Sequence, residues 1–265
     1  MKQNTAVVFL GDFCDRGPRT KDTLDWLVEL KRQYPRIYFI AGNHDFGMAS
    51  FLGLIPARPS SFESALTLDA TRDPTYQSGF WTHDVPGGMH YQGRRWGFSP
   101  ADIYDTANTF KSYGIEGPAE GPELREELLA AVPVAHKELL AGMHWVVELE
   151  CTRFDGHDPL KIVCVHAGLS ADKDAAAQLE ALRLRDWRMP VLHERGQVAR
   201  IEAFSGRTTV LRNHPALVEG NVVLVSGHHG TCIIDRSDQR AIVDEHGGLG
   251  PIQAIIFPEW DVISS

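Results

Sequence analysis

Short, wholly apolar runs recur along the chain, and several of them end in a polar residue. Residues 6–10 (AVVFL) and 37–40 (IYFI) have the pattern of buried parallel strands. Residues 20–32 between them have apolar positions at helical spacing, and Pro35 ends that helix. Residues 6–45 are therefore predicted to form a β-α-β unit.

The last part of the chain shows similar runs. Strands are predicted over residues 145–154, 161–165 and 221–225. A helix is predicted over about 171–186, with Ser170 as its N-cap.

The segment between these parts, residues 46–143, is less regular and rich in Gly, Pro, Trp and Ser. Two helical stretches are predicted near its end, at about 122–131 and 134–142, on either side of Pro133. The length of the whole chain, residues 1–265, suits one large α/β domain or two small ones.

The composition excludes several classes of function. The 265 residues carry a formal net charge of −9 and no cluster of Lys and Arg, which argues against a nucleic-acid partner. Four cysteines without C-x-x-C spacing predict reduced thiols. No apolar run is long enough to cross a membrane. The expected location is the cytoplasm, with the nucleus as an alternative, and no membrane partner is expected.

Four of the predicted strands are each followed by a residue that can bind a metal. These residues are Asp12, Asn43, His166 and His228. The four strands are expected to belong to one sheet, whose carboxyl ends bring these side chains to one edge. Each residue alone has an ordinary explanation as a turn, cap or core residue. Their joint occurrence in this order predicts a site for Zn, Mn or Fe without thiolate ligands.

The motifs around these residues resemble those of phosphoprotein phosphatases in the calcineurin-like superfamily. Residues 11–17 (GDFCDRG) are similar to G-D-x-x-D-R-G, and residues 42–45 (GNHD) to G-N-H-E/D. Residues 166–168 (HAG) and 227–228 (GH) are similar to the later histidine motifs. The segments FLGDFCDRGP, AGNHDFGMASFLGL, QGRRW, VHAGL and VSGHHG resemble the plant Rhizobiales-like phosphatases. Members of that group resemble bacterial phosphatases and prefer phosphotyrosine.

The resemblance implies an α/β fold of the metallophosphoesterase αββα sandwich type, with two divalent metal ions. It implies that Asp12 bridges the two ions and that Asn43, His166 and His228 complete the shell of the second. Two ions ~3.5–4 Å apart would share a hydroxide that attacks phosphorus in line.

The resemblance also implies roles in catalysis and substrate binding. His44 would be the general acid, oriented by Asp15, and Arg16 would hold the phosphate as a bidentate donor. Asn43 would also face the substrate. A phosphorylated protein is the partner that the family implies.

One family motif has no counterpart in this sequence. The family begins with a strand that ends in G-D-x-H-G, whose Asp and His bind the first metal, and residues 1–10 contain neither Asp nor His. The fold is therefore expected without the first core strand and its helix. Either the chain is part of a longer protein, or the short product has no hydrolase activity. As written, the chain is expected to bind fewer than two metal ions and to turn over weakly or not at all.

The interval between Asp45 and His166 is longer than in the Ser/Thr phosphatases that the motifs resemble. The resemblance therefore implies a single domain over residues 1–265 with an insertion at about 46–143, where substrate selection is expected. Arg94 and Arg95, followed by Trp96, form either a phosphate clamp or a solvated arginine pair beside a packed indole.

Two further residues are candidates for substrate binding. Arg207 is a candidate phosphate ligand or a loop arginine, and His229 is expected to line the pocket beside His228.

Three hypotheses for the function stay open at this point. The chain is a protein phosphatase that prefers phosphotyrosine, a small-molecule phosphoesterase acting on a substrate such as a dinucleoside polyphosphate, or a non-catalytic protein that binds phosphate.

Overall fold

The computed structural model describes residues 5–55, 90–91, 94–96, 104–116, 122–152, 158–187, 189–192 and 201–265. The described residues fall into two compact units, one up to Met143 and the other from His144 onward. Within the described ranges, no helix is both long enough and apolar enough to span a bilayer. The four cysteines carry free thiols, as the sequence predicted.

The first unit is mainly helical, with two short pairs of strands. Its elements are β1 (Val7–Phe9), α1 (Thr20–Gln33), β2 (Ile37–Phe39), α2 (Asn43–Phe51), β3 (His90–Tyr91), β4 (Arg94–Arg95), α3 (Ala107–Ser112), α4 (Pro122–Ala131) and α5 (Val134–Gly142). Strands β1 and β2 pair in parallel, with Val8 opposite Tyr38, so the predicted β-α-β unit is confirmed.

Helix α1 forms because its apolar positions lie on one face. Leu24 and Leu27 on that face are completely buried, and the helix packs on α3 and α5. Helix α2 differs, since all nine of its residues are buried and it has no polar face. The sequence pattern did not predict α2, because a helix buried on every side shows no amphipathic period.

The second unit is built around a five-stranded sheet. Its elements are β5 (Val147–Cys151), β6 (Leu160–Cys164), α6 (Ala175–Arg183), α7 (Glu202–Ser205), α8 (Pro215–Glu219), β7 (Val222–Ser226), β8 (Cys232–Asp235), β9 (Arg240–Val243), β10 (Gln253–Ile256) and β11 (Asp261–Ser264). The sheet order is β5-β6-β7-β9-β8, and β10 and β11 form a separate antiparallel pair. The central strands β6, β7 and β9 are parallel.

The mixed α/β class is confirmed, whereas two details of the prediction are wrong. The strands that precede Asp12 and Asn43 form a two-stranded sheet of their own, while those that precede His166 and His228 belong to the five-stranded sheet. An apolar run does not identify the neighbour of a strand, and it does not ensure full burial, since Val7–Phe9 are only half-buried. The N-cap of α6 is Asp174, whose carboxylate accepts a bond from Ala177 N at 2.7 Å, and not Ser170.

Candidate functional site

The loop after β1 has an unusual backbone conformation. Asp12, Asp15 and Arg16 have φ angles of 60°, 70° and 52°. These angles lie in the left-handed region, which residues other than glycine rarely adopt. Asp45 holds this loop, since its carboxylate accepts hydrogen bonds from Asp12 N at 2.8 Å and Phe13 N at 2.9 Å. Backbone strain of this kind persists only where the surrounding structure holds it in place, and it is found mostly at functional sites.

The same carboxylate joins this loop to the start of α2. Asp45 also accepts a bond from Gly42 N at 2.9 Å, and His44 N donates to Asp12 Oδ1 at 3.2 Å. Two motifs separated in the sequence thus meet within the first unit. Asp45 had no predicted role beyond its place in the GNHD motif, although an acidic residue in the first turn of a helix is a capping signal.

Asn43 has the environment of a metal ligand. Its side chain is buried, and Oδ1 has no hydrogen-bond partner among the residues that the structure describes. A buried amide oxygen without a partner costs about 1–3 kcal/mol, which a bound cation would offset. The oxygen fits the role of a ligand for a divalent ion.

His44 and Asp15 form a buried pair. His44 Nδ1 lies 2.7 Å from Asp15 Oδ2. Burial opposes the charged form of the ring, but the negative charges of Asp12 and Asp15 outweigh it, so the pKa of His44 is raised. The pair therefore favours a protonated imidazole, as a general acid requires.

His166 and His228 follow adjacent parallel strands of the second unit. Cys164 in β6 lies opposite Val225 in β7, and both histidines come just after these positions. His166 Nε2 and His228 Nδ1 are 3.1 Å apart. Two nitrogens at about 2.0–2.1 Å from one ion lie about 2.8–3.4 Å apart for bond angles of about 90–110°. The imidazole pair therefore fits a shared metal ion.

The loops around this pair are held by further polar contacts. His228 has a φ of 72°, and its carbonyl accepts a bond from Arg207 Nη1 at 3.0 Å. His229 Nε2 donates to Ala167 O at 2.8 Å. Burial is the main cause that lowers the pKa of His229 to about 4, so this ring is neutral at physiological pH.

The comparison with known families agrees with these motifs. A family model described as calcineurin-like phosphoesterase matches residues 2–247. The chain belongs to the calcineurin-like phosphoesterase family. No curated protein gives a significant match. Membership supports metal-dependent hydrolysis of phosphoesters, with divalent ions as cofactors.

In this phosphoesterase, Asp15 has two partners that the sequence analysis missed. Trp96 Nε1 donates to Asp15 Oδ2 at 2.7 Å, and Thr109 Oγ1 donates to Asp15 Oδ1 at 2.7 Å. The sequence marked Trp96 only as an aromatic residue beside an arginine pair. Nothing in the sequence distinguished Thr109 from other threonines.

A buried arginine holds the phosphoesterase's histidine loops. Arg240 is 1% exposed, and its guanidinium donates to Ala167 O at 3.3 Å and to Ser226 Oγ at 2.6 Å. These acceptors lie next to His166 and near His228. Arg240 therefore connects the ends of β6 and β7, at the position of the imidazole pair.

Other predicted residues have less structural detail. The structure describes the backbone of Arg94 and Arg95 in β4 but not their side chains, so the phosphate clamp stays a prediction. The side chain of Arg16 is exposed, and its carbonyl accepts a bond from Asn108 Nδ2 at 2.6 Å.

Proposed function

We propose that this phosphoesterase hydrolyses phosphate monoesters on proteins and prefers phosphotyrosine. The observation that supports metal-dependent hydrolysis is the imidazole pair of His166 and His228, whose nitrogens have the separation of two ligands of one ion. The preference for phosphotyrosine rests on the resemblance described above.

In this proposal the donor set is the one that the resemblance implies, namely Asp12, Asn43, His166 and His228. A carboxylate, an amide oxygen and two imidazoles suit Mn, Fe or Zn. The bound ions would supply Lewis acidity, which activates water and neutralises charge on the phosphoryl oxygens.

The residues of the first unit then have separate tasks. Arg16 holds two phosphoryl oxygens through its planar guanidinium. As water adds to phosphorus and the bond to the leaving oxygen breaks, the proton on His44 Nε2 passes to that oxygen. Asp15 holds the ring through Nδ1, which fixes its orientation.

Phosphotyrosine is a chemically reasonable substrate for this arrangement. A phenol has a pKa of about 10, so it leaves with less acid assistance than a serine alkoxide. Arg94, Arg95, Arg207 and His229 are the candidates for contacts with the phosphorylated protein.

The test compares substrates and metals on the purified chain. The protein is stripped with a chelator, loaded with Mn, Fe or Zn, and given phosphotyrosine peptide, phosphoserine peptide or diadenosine tetraphosphate. We expect phosphate release to be weak, because the first-metal ligands have no counterpart in this chain, to need metal, and to be fastest with phosphotyrosine. His166→Ala should abolish metal binding, whereas His246→Ala, at an exposed histidine of the same unit, should leave it unchanged.

Other outcomes would identify the alternatives. Faster turnover of diadenosine tetraphosphate would point to a small-molecule phosphoesterase. Phosphate binding without turnover of any substrate would point to a non-catalytic protein. A chain that binds no metal before or after loading would contradict the proposal.

A further inference from the structure

The Asp15 carboxylate accepts three side-chain hydrogen bonds. His44 and Trp96 both bond Oδ2 at 2.7 Å, and Thr109 bonds Oδ1 at 2.7 Å. Asp15 is only 6% exposed. A buried carboxylate with donors on both oxygens has a fixed orientation, because any rotation breaks at least one charge-assisted bond.

The direction of each bond follows from the chemistry of the donors. An indole nitrogen can only donate, so Asp15 Oδ2 is the acceptor from Trp96. The Thr109 hydroxyl gives its one proton to Asp15, so in its contact with Thr20 Oγ1, at 3.1 Å, the Thr20 hydroxyl is the donor. Asp15 Oδ2, which accepts from Trp96, is also the acceptor of the third bond, whose proton lies on His44 Nδ1.

The indole of Trp96 is itself held rigidly. It is completely buried and lies against Phe51 and Phe110, with ring centroids 5.1 and 5.6 Å away. It also packs directly against Gly47 of α2, where an added Cβ would lie 2.8 Å from Trp96 Cδ1. A glycine inside a helix costs about 1 kcal/mol relative to alanine, and here it makes room for the indole.

We infer that Trp96 and Thr109 are positioning residues that hold Asp15, and through it the His44 ring, for proton delivery to the leaving group. The inference rests on the proposed role of His44 as the general acid. It assigns part of the long interval after Asp45 a function in catalysis as well as in substrate selection. Trp96 and Thr109 need not contact the substrate for this role.

The first test uses the leaving group as the probe. The experiment measures kcat/KM for a series of aryl phosphates, from dinitrophenyl phosphate to phenyl phosphate. It compares the wild type with Trp96→Phe and Thr109→Val. General-acid assistance of about 10²–10⁴-fold matters most for poor leaving groups, so each variant should lose about tenfold in kcat/KM on phenyl phosphate and about twofold on dinitrophenyl phosphate. Equal losses on all substrates would contradict a positioning role.

The second test does not need turnover. In ¹H-¹⁵N spectra of the full chain, labelled at histidine, the His44 Nδ1 proton should give a strongly downfield signal in wild type. This signal should shift or broaden in both variants. Unchanged His44 signals in Trp96→Phe and Thr109→Val would overturn the inference.

Matched controls separate these effects from general destabilisation. Trp26→Phe changes an indole that is 53% exposed in α1, and Thr23→Val changes an exposed hydroxyl in the same helix. Both controls should keep the wild-type leaving-group dependence and the His44 signal. If neither the wild type nor any variant hydrolyses an ester, the proposed function fails. The spectra alone then test whether Trp96 and Thr109 position His44.

Discussion

Substitution of Arg240 tests how the histidine loops of the second unit are held. Its guanidinium makes six short contacts, five of them to main-chain carbonyls. The acceptors are Leu211 O, Leu224 O, Ala241 O, Ala167 O, Val210 O and Ser226 Oγ, at 2.6 to 3.3 Å. Arg240→Met removes all of the guanidinium N–H donors, so the buried oxygens lose their hydrogen bonds from this side chain.

Two opposing contributions determine how much Arg240→Met changes the free energy of unfolding. Burial lowers the pKa of Arg240 from 12.5 to about 9, which corresponds to about 5 kcal/mol of charge desolvation that methionine would recover. The guanidinium has five N–H donors for these six contacts, and a hydrogen bond to a charged group contributes at least about 1.5 kcal/mol, so about 7.5 kcal/mol of hydrogen bonding is lost. The net expectation is a loss of about 2–3 kcal/mol in the free energy of unfolding.

Urea denaturation followed by circular dichroism measures this loss. Arg240→Lys should be no more stable than Arg240→Met, because lysine keeps a buried charge but has only three donors. Arg212→Met, at an exposed arginine of the same unit, should stay within about 0.5 kcal/mol of wild type. An Arg240→Lys variant within about 1 kcal/mol of wild type would refute the argument, since charge alone would then suffice.

Two further substitutions test the backbone near the site. Gly168→Ala should cost about 3 kcal/mol or more and weaken metal binding at His166, because Gly168 has a φ of 142° and a Cβ there would lie 2.5 Å from Val210 O. Gly142→Ala, where a Cβ has nothing within 4 Å, is the control and should be close to neutral in thermal melts. Asp174→Ala should lower the free energy of unfolding by about 1 kcal/mol through loss of the α6 N-cap, and an unchanged value in the same urea assay would contradict that role.

Local patterns predicted much of the architecture. The apolar runs located the strands on either side of α1 and the central strands β6 and β7, because a buried strand needs consecutive apolar residues whatever its partner. Helices α4 and α5 were also predicted with nearly the observed bounds. In these segments the residues that define the element lie within one short window of sequence.

Local sequence patterns predicted only part of the candidate site. The motifs identified His44 with Asp15, and the structure pairs them at 2.7 Å. His166 and His228 were expected to meet at the ends of their strands, and β6 and β7 are adjacent and parallel. These residues follow strands or lie in recognisable motifs, so their positions depend mostly on local chain order.

By itself, the sequence determined where several strands and helices form, though not α2, and which residues are candidates for metal-binding and acid-base chemistry. Only the tertiary structure decided which strands share a sheet, that Arg240 in β9 is buried among carbonyls, and that Trp96 and Thr109 converge on Asp15. The physical reason is that these arrangements depend on hydrogen bonds and packing between residues far apart in the chain. A single charged or aromatic side chain gives no sign of the partner it will find when the chain folds.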